Sequence, residues 1–316
     1  MTRILGKKVR KWTIAIVAIG VVLNGCNSPN AEEESTRPRV VATSTIIADL
    51  TAKVGGDEIE LTGILKAGED PHIYEPVPQD TIALERADLI LYNGYNLEPA
   101  LIRIVQGTGV KATKIAVGEK VKALTNTNYG QNVRDPHVWG DAENGIVMVE
   151  AIRDALIELS PSDREVFEEN AEKLQASLQR LDAWIGEQIA TIPPENRKLV
   201  TTHDAFEYYA RAYGLEVTGT LIGMSTEEQP SAQTVKTLSD DIKAAGIPAI
   251  FAETTINPTL IKTVAQEAGV KLSDRQLYSD SIGVMGSEGD SYLKMLIANT
   301  HTIVEALGGQ YISFDE

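Results

Sequence analysis

The stretch that decides the fold runs from Ser160 to Pro194 and reads SPSDREVFEENAEKLQASLQRLDAWIGEQIATIPP. Ser160, Pro161 and Asp163 make a helix start: a hydroxyl cap, a proline at the first helical position and an acid three residues after the cap. Apolar residues then recur at Phe167, Ala171, Leu174, Leu178, Leu181, Ile185 and Ile189. Their steps of three and four keep to one face of an α-helix. Pro193 and Pro194 stop it, because proline cannot continue the hydrogen-bond ladder. Roughly 30 residues rising 1.5 Å each span about 45 Å, the width of a whole domain. The stripe is not sustained long enough for a coiled-coil arm. We therefore read residues 161–192 as a rigid connector between an N-terminal lobe, 39–160, and a C-terminal lobe, 193–316.

On both sides of this helix the chain alternates short β-branched runs with helical patterns. Candidate strands are 40–43, 58–65, 89–92 and 114–117 before it, then 198–202, 216–220, 249–252 and 276–278 after it. Helical patterns fall between them, at 45–54, 79–86, 205–213, 231–245, 258–268 and 291–307. Such alternation implies an α/β fold with mostly parallel sheets. No tandem repeat or low-complexity tract interrupts it.

Composition narrows the function. Of 316 residues, 43% are apolar and 23% charged, enough to bury a globular core. Forty-five acids against 29 Lys and Arg give a charge of −16, the wrong sign for a nucleic-acid binder. A single cysteine excludes an intrachain disulfide, a thiolate zinc cage and an iron–sulfur cluster.

That cysteine closes an N-terminal address. Residues 1–11 carry five positive charges and no acid, an apolar run follows from Trp12 to Leu23, and Leu23-Asn24-Gly25-Cys26 ends it. A basic segment followed by a short apolar one is a secretory signal, too short to span a membrane comfortably. Leu23, Gly25 and Cys26 resemble the bacterial lipoprotein box, with Asn24 at its permissive position. The resemblance implies a signal peptide over 1–25 and lipidation of Cys26. Residues 26–38, polar and acidic with two prolines, read as the lipidated cysteine and a flexible tether. Removing 1–25 leaves 24 basic residues against 45 acids, a mature charge of −21.

Four histidines occur, His72, His137, His203 and His301. The first three lie in loop-like contexts, His203 directly after a candidate strand, and Asp280 also closes one. In open parallel sheets the carboxyl ends of strands face the binding crevice, so these four could converge between the lobes. The intervals of 65, 66 and 77 residues match no compact metal motif. On spacing alone the signal is weak, because a loop histidine is more often solvated or structural. His301 sits within a helical run and is assigned no role. Proline before His72 and before His137 fixes the local backbone and would help to hold a ligand.

The surrounding motifs carry more. Pro71-His72-Ile73-Tyr74-Glu75-Pro76, Asp135-Pro136-His137-Val138-Trp139, Thr202-His203-Asp204-Ala205-Phe206 and Tyr278-Ser279-Asp280-Ser281 resemble, in order, the four ligand motifs of the TroA/PsaA/ZnuA-like metal receptors of ABC importers. Pro248 to Glu253 resembles a strand of that family's second lobe, and the likeness covers nearly all of 39–309. It implies two α/β lobes joined by one long helix, with His72, His137, His203 and Asp280 as metal ligands. It also implies capture of Zn²⁺ or Mn²⁺ and delivery to an ABC permease with its ATPase. The expected place is the outer face of the bacterial cytoplasmic membrane, where the protein would act as a lipid-anchored monomer.

Three imidazoles and one carboxylate suit tetrahedral Zn²⁺, while Mn²⁺ prefers more oxygen and is weakest in the divalent affinity order. Manganese-dedicated receptors usually carry Glu at the position of His203. Zinc-dedicated ones often carry a His-rich insertion between the first two motifs, yet 117–134 contains no His. The chain thus resembles the subgroup associated with both metals. Asp204, Glu253 and Asp141 are available to orient the imidazoles, but each reads equally as a solvated carboxylate or a helix cap. Two other functions compete. A secreted metalloenzyme would keep an open metal position and a nucleophile or phosphate motif, and no such motif is visible. A surface adhesin with a structural metal would need an exposed apolar patch, which 5% aromatics hardly supports.

Overall fold

The computed structural model describes residues 37–107, 109–126 and 133–315, together with Thr2. Cys26, the rest of the signal segment and the tether up to residue 36 lie outside the described residues. Among the described residues no helix is long and apolar enough to cross a membrane.

The chain begins with four α/β steps. Strands β1 (Arg39–Ala42), β2 (Glu60–Gly63), β3 (Leu89–Tyr92) and β4 (Thr113–Ala116) form one parallel sheet in the order β2-β1-β3-β4. Helices α1 (Thr45–Gly55), α2 (Pro78–Arg86) and α3 (Pro99–Val105) connect them. Each begins where the sequence supplies a start. The Ser44 hydroxyl accepts the Ile47 N–H at α1, and Pro78 and Pro99 stand in the first turns of α2 and α3. A short antiparallel pair, β5 (Thr125–Asn126) with β6 (Val133–Arg134), precedes α4 (Ala142–Leu159), whose cap is Asp141.

The long helix follows as α5 (Arg164–Ala190), 27 residues, after a 3₁₀ turn at Pro161–Asp163. It is a few residues shorter than its periodicity suggests, because the Ser160 hydroxyl donates to the Asp163 carboxylate and the first turn tightens. All seven stripe residues, from Phe167 to Ile189, are buried. They pack mainly on α4, and also on α1 and on α9 (Tyr292–Ala306).

After α5 the pattern resumes. β7 (Lys198–His203) pairs in parallel with β8 (Glu216–Ile222), and β9 (Ala249–Ile250) pairs in parallel with β10 (Lys271–Leu272). The Phe251 N–H to Val200 C=O bond, 2.9 Å, ties β9 to β7. Residues 276–278 form only one parallel bridge, Leu277 to Glu253, because the chain then turns away to present Asp280. Helices α6 (Glu207–Tyr213), α7 (Ala232–Ala245) and α8 (Thr259–Ala268) link these strands. Gly246 and Gly269 end α7 and α8 at φ of 65° and 69°, a left-handed conformation that glycine adopts without steric penalty. One apolar cluster joins Leu50, Val149, Leu178, Leu199, Phe251 and Leu296 across the length of α5, so strand ends on both sides of the helix share a core.

A carboxylate inside this frame makes its stability pH-dependent. Glu98, just before α3, is 1% exposed, and its Oε1 accepts the Asn93 N–H at 2.7 Å and the Thr43 hydroxyl at 2.8 Å. Burial nevertheless pushes it up to about 7 from an ordinary 4.5. The folded state therefore favours the protonated acid. That stability is complete below the ordinary value and is lost as pH rises through about 7. Glu98→Gln should remove this dependence. Wild-type protein should lose up to roughly 3 kcal/mol from this group on going from acid to alkaline conditions, and the variant should lose less. Denaturant melts across that range check it, and parallel curves for the two proteins would contradict it.

Candidate metal centre

His203 ends a strand, and the other three expected ligands lie in loops. His72 lies in the irregular segment 64–77 between β2 and α2. Its backbone N–H is held by Asp70 Oδ1 at 2.9 Å. The far side of the loop is pinned by Asp80, whose Oδ2 accepts the Val77 N–H and the Tyr74 hydroxyl at 2.8 and 2.9 Å. His137 lies between β6 and α4. The Asn93 amide, from the end of β3, donates to Pro136 C=O at 2.9 Å and anchors that turn to the parallel sheet. His203 is the last residue of β7. Asp280 follows the Leu277 bridge and is steadied by Asn299 of α9, which exchanges two hydrogen bonds with the Tyr278 backbone at 2.7 and 2.8 Å.

These four side chains meet. One ligand atom from each of His72, His137, His203 and Asp280 lies within 4.8 Å of the other three, and all four residues are buried. His72 Nε2 and His137 Nε2 are 3.2 Å apart, His203 Nε2 and Asp280 Oδ2 3.1 Å, and His137 Nε2 and Asp280 Oδ1 3.5 Å. Ligands held about 2.0–2.1 Å from a tetrahedral ion must stand about 3.3 Å from one another, close to these three separations. The polar atoms also aim at a shared point. His203 Nε2 and both oxygens of Asp280 are buried without a hydrogen-bond partner, despite their closeness. Buried polar atoms left so are costly, and a cation among them removes the cost.

Carboxylates behind the imidazoles orient them. Asp135 Oδ1 accepts from the His137 backbone at 2.9 Å and lies 2.7 Å from its Nδ1. Glu253 Oε1 accepts the His203 backbone N–H at 2.8 Å, while Oε2 makes a short bond to Nδ1. A carboxylate at Nδ1 keeps the proton there and leaves the Nε2 lone pair for a metal. Burial pushes the His72 imidazole down to about 3, keeping it neutral. Burial alone would lower His203 too, but Glu253 and Asp280 override it and raise it well above the ordinary range. Asp280 moves oppositely: burial would raise it, and the three imidazoles hold it below the usual carboxylate range. Burial and the neighbouring Asp280 raise Asp70. With Asp70, Asp135, Glu253 and Asp280 around three imidazoles, the interior favours positive charge at the point where the ligand atoms meet.

The three orienting carboxylates weighed in the sequence divide. Glu253 takes that role. Asp141 is the cap of α4, accepting the Glu143 N–H at 2.8 Å. Asp204 sits in the turn before α6, which begins at Glu207 rather than at 205. Asp70 and Asp135 were not singled out, although the triplet Asp-Pro-His, repeated at 70–72 and 135–137, is a visible signal: it places a carboxylate two residues ahead of each ligand. His301 belongs to another setting. Its ring stacks on Tyr311 at 3.8 Å, and Nε2 is 3.1 Å from Glu305.

Comparison with known proteins agrees with this geometry. The family described as zinc-uptake complex component A, periplasmic, matches residues 40–306. The chain is 32% identical to the manganese-binding lipoprotein MntA of Halalkalibacterium halodurans, over 94% of this chain and 98% of that one. It is 34% identical to the manganese ABC transporter substrate-binding lipoprotein PsaA of Streptococcus anginosus, over 93% and 98%. Among solved structures, the periplasmic zinc binding protein TroA from Treponema pallidum superposes with a TM-score of 0.80 at 33% identity, covering 86% of this chain and 99% of that one.

Replacing His72, His137, His203 or Asp280 with Ala should each weaken Zn²⁺ binding by at least about a hundredfold, since each would remove one of the four groups placed to hold an ion. His301→Ala should leave it unchanged. Calorimetric titration checks the set, and wild-type affinity in His203→Ala would refute the assignment.

Proposed function

The chain belongs to the family of the zinc-uptake complex component A, and we propose that it captures Zn²⁺ or Mn²⁺ outside the cytoplasmic membrane through His72, His137, His203 and Asp280 and delivers the ion to an ABC-type permease driven by its ATPase. The observation that carries this reading is the convergence of four buried ligand atoms within 4.8 Å. The ion is cargo, so the site must hold it firmly and then let it go. Four protein ligands close the coordination sphere and leave no position for a substrate water, which suits a receptor rather than an enzyme.

The donor set accepts both metals. Tetrahedral Zn²⁺ uses three Nε2 atoms and one Asp280 oxygen. Mn²⁺ seeks more oxygen, and Asp280 can add its second, since neither oxygen is engaged in a hydrogen bond. By the divalent affinity order zinc binds more tightly. The position of α5 supports the division into lobes at 39–160 and 193–316 with 161–192 between them. Two ligands precede the helix in the sequence and two follow it, so the halves must come together for the cage to close. A stiff connector permits only small movements between them. The protein acts as a monomer at the outer face of the membrane, where Cys26 carries the lipid.

Three measurements test these points. Purified protein titrated with Zn²⁺ and Mn²⁺ in competition should bind both, with zinc favoured, and either metal should raise the melting temperature. Failure of both ions to bind would overturn the reading. In cells labelled with a radioactive fatty acid, wild-type chain should incorporate label and partition with membranes, whereas Cys26→Ala should do neither. Equal labelling of the two would remove Cys26 as the anchor.

A further inference from the structure

The three histidines are not held alike. Asp135 and Glu253 each engage both the backbone and the ring of their histidine. Asp70 engages only the backbone of His72, and its second oxygen turns away from the ring. That oxygen accepts the hydroxyl of Thr226, 2.6 Å away, in the segment after β8. Both partners are 9% exposed. The group placed to steady the first ligand therefore reaches across to the other half of the chain.

A second hydroxyl reaches the same loop. Ser281, next to the fourth ligand and fully buried, accepts the Gly68 N–H at 2.8 Å and lies 3.1 Å from the Thr45 hydroxyl. Segment 64–77 has no strand or helix of its own, and these contacts tie it to the second half of the chain. Other links between the halves do not touch this segment: Trp139 Nε1–H donates to Ser279 C=O at 2.8 Å, the Tyr208 hydroxyl to Asp135 C=O at 3.0 Å and the Tyr292 hydroxyl to Trp139 C=O at 2.7 Å.

We propose that Thr226 and Ser281 form a clasp on the His72 loop, through Asp70 and Gly68, and that this clasp sets how long the bound metal is held. The inference rests on the receptor reading above and adds positioning residues to it. Neither hydroxyl belongs to the ligand set. For the ion to leave, the ligands must separate, and the segment bearing His72 has no strand or helix of its own. Breaking the clasp lets that loop lift while the ligand atoms themselves remain intact. The consequence falls on the rate of release.

The test follows release of Zn²⁺ into excess chelator by stopped flow, with the visible spectrum of Co²⁺-loaded protein reporting the ligand set. Thr226→Val keeps the shape and removes the donor. It should speed release by about tenfold or more, as loss of a hydrogen bond to a charged group implies, with an unchanged Co²⁺ spectrum. Thr226→Ser should release at the wild-type rate. Ser281→Ala should also speed release and, combined with Thr226→Val, speed it further. Release from Thr226→Val at the wild-type rate overturns the clasp while the receptor reading stands. An altered Co²⁺ spectrum in Thr226→Val likewise overturns it, because the ligand set would then have been disturbed. Absence of metal uptake by the wild-type chain overturns both.

Discussion

The concentration of buried carboxylate around three imidazoles is the constraint on which the rest of this molecule depends. Asp70, Asp135, Glu253 and Asp280 are each at most 9% exposed. Removing such groups from water costs several kcal/mol apiece unless hydrogen bonds and opposite charge offset the loss. Backbone N–H groups of His72, His137 and His203 supply the hydrogen bonds, each to its own carboxylate. The remaining demand is for positive charge at the centre. The opposite displacements of His203 and Asp280 express that demand. A divalent cation would answer it directly.

Holding such a cluster together requires a frame that resists its cost. The frame is a shared apolar core built along α5, whose stripe from Phe167 to Ile189 is buried against α1, α4 and α9. Trp139 couples this core to the centre. Its ring meets His137 edge-on at 5.5 Å, and its indole N–H is bonded to Ser279 C=O, one residue from Asp280. Packing thus places two ligands from opposite halves of the chain relative to each other. The loop of His72 differs: Ile64 and Leu65 at its start join a separate apolar cluster, and hydroxyl contacts tie it to the second half of the chain. That asymmetry is suited to a site that must both retain and surrender its cargo.

Some of this was legible in the residues and some was not. The strand runs 89–92 and 198–202 are local patterns, and the structure follows them closely. The pair β5–β6 is two residues long on each side, too short for any periodicity to reveal. Helices α3 and α4 were not singled out, although Pro99 and Asp141 mark their starts. The roles of the acids were harder still. Glu253, Asp141 and Asp204 looked equivalent in sequence. Glu253 meets the His203 imidazole, because the segment that continues β9 runs beside β7, which ends in His203.

What the sequence determined by itself was local: where helices and strands form, which face of α5 is apolar, and that three histidines and an aspartate lie within recognisable motifs. Those follow from backbone and side-chain chemistry over a few neighbouring residues. Only the tertiary structure decided that residues 65 to 77 positions apart share one point, which carboxylate stands behind which ring, and that Asp70 reaches Thr226. Distances across the fold depend on how the sheets and helices stack around their common core. No short window of residues contains that information.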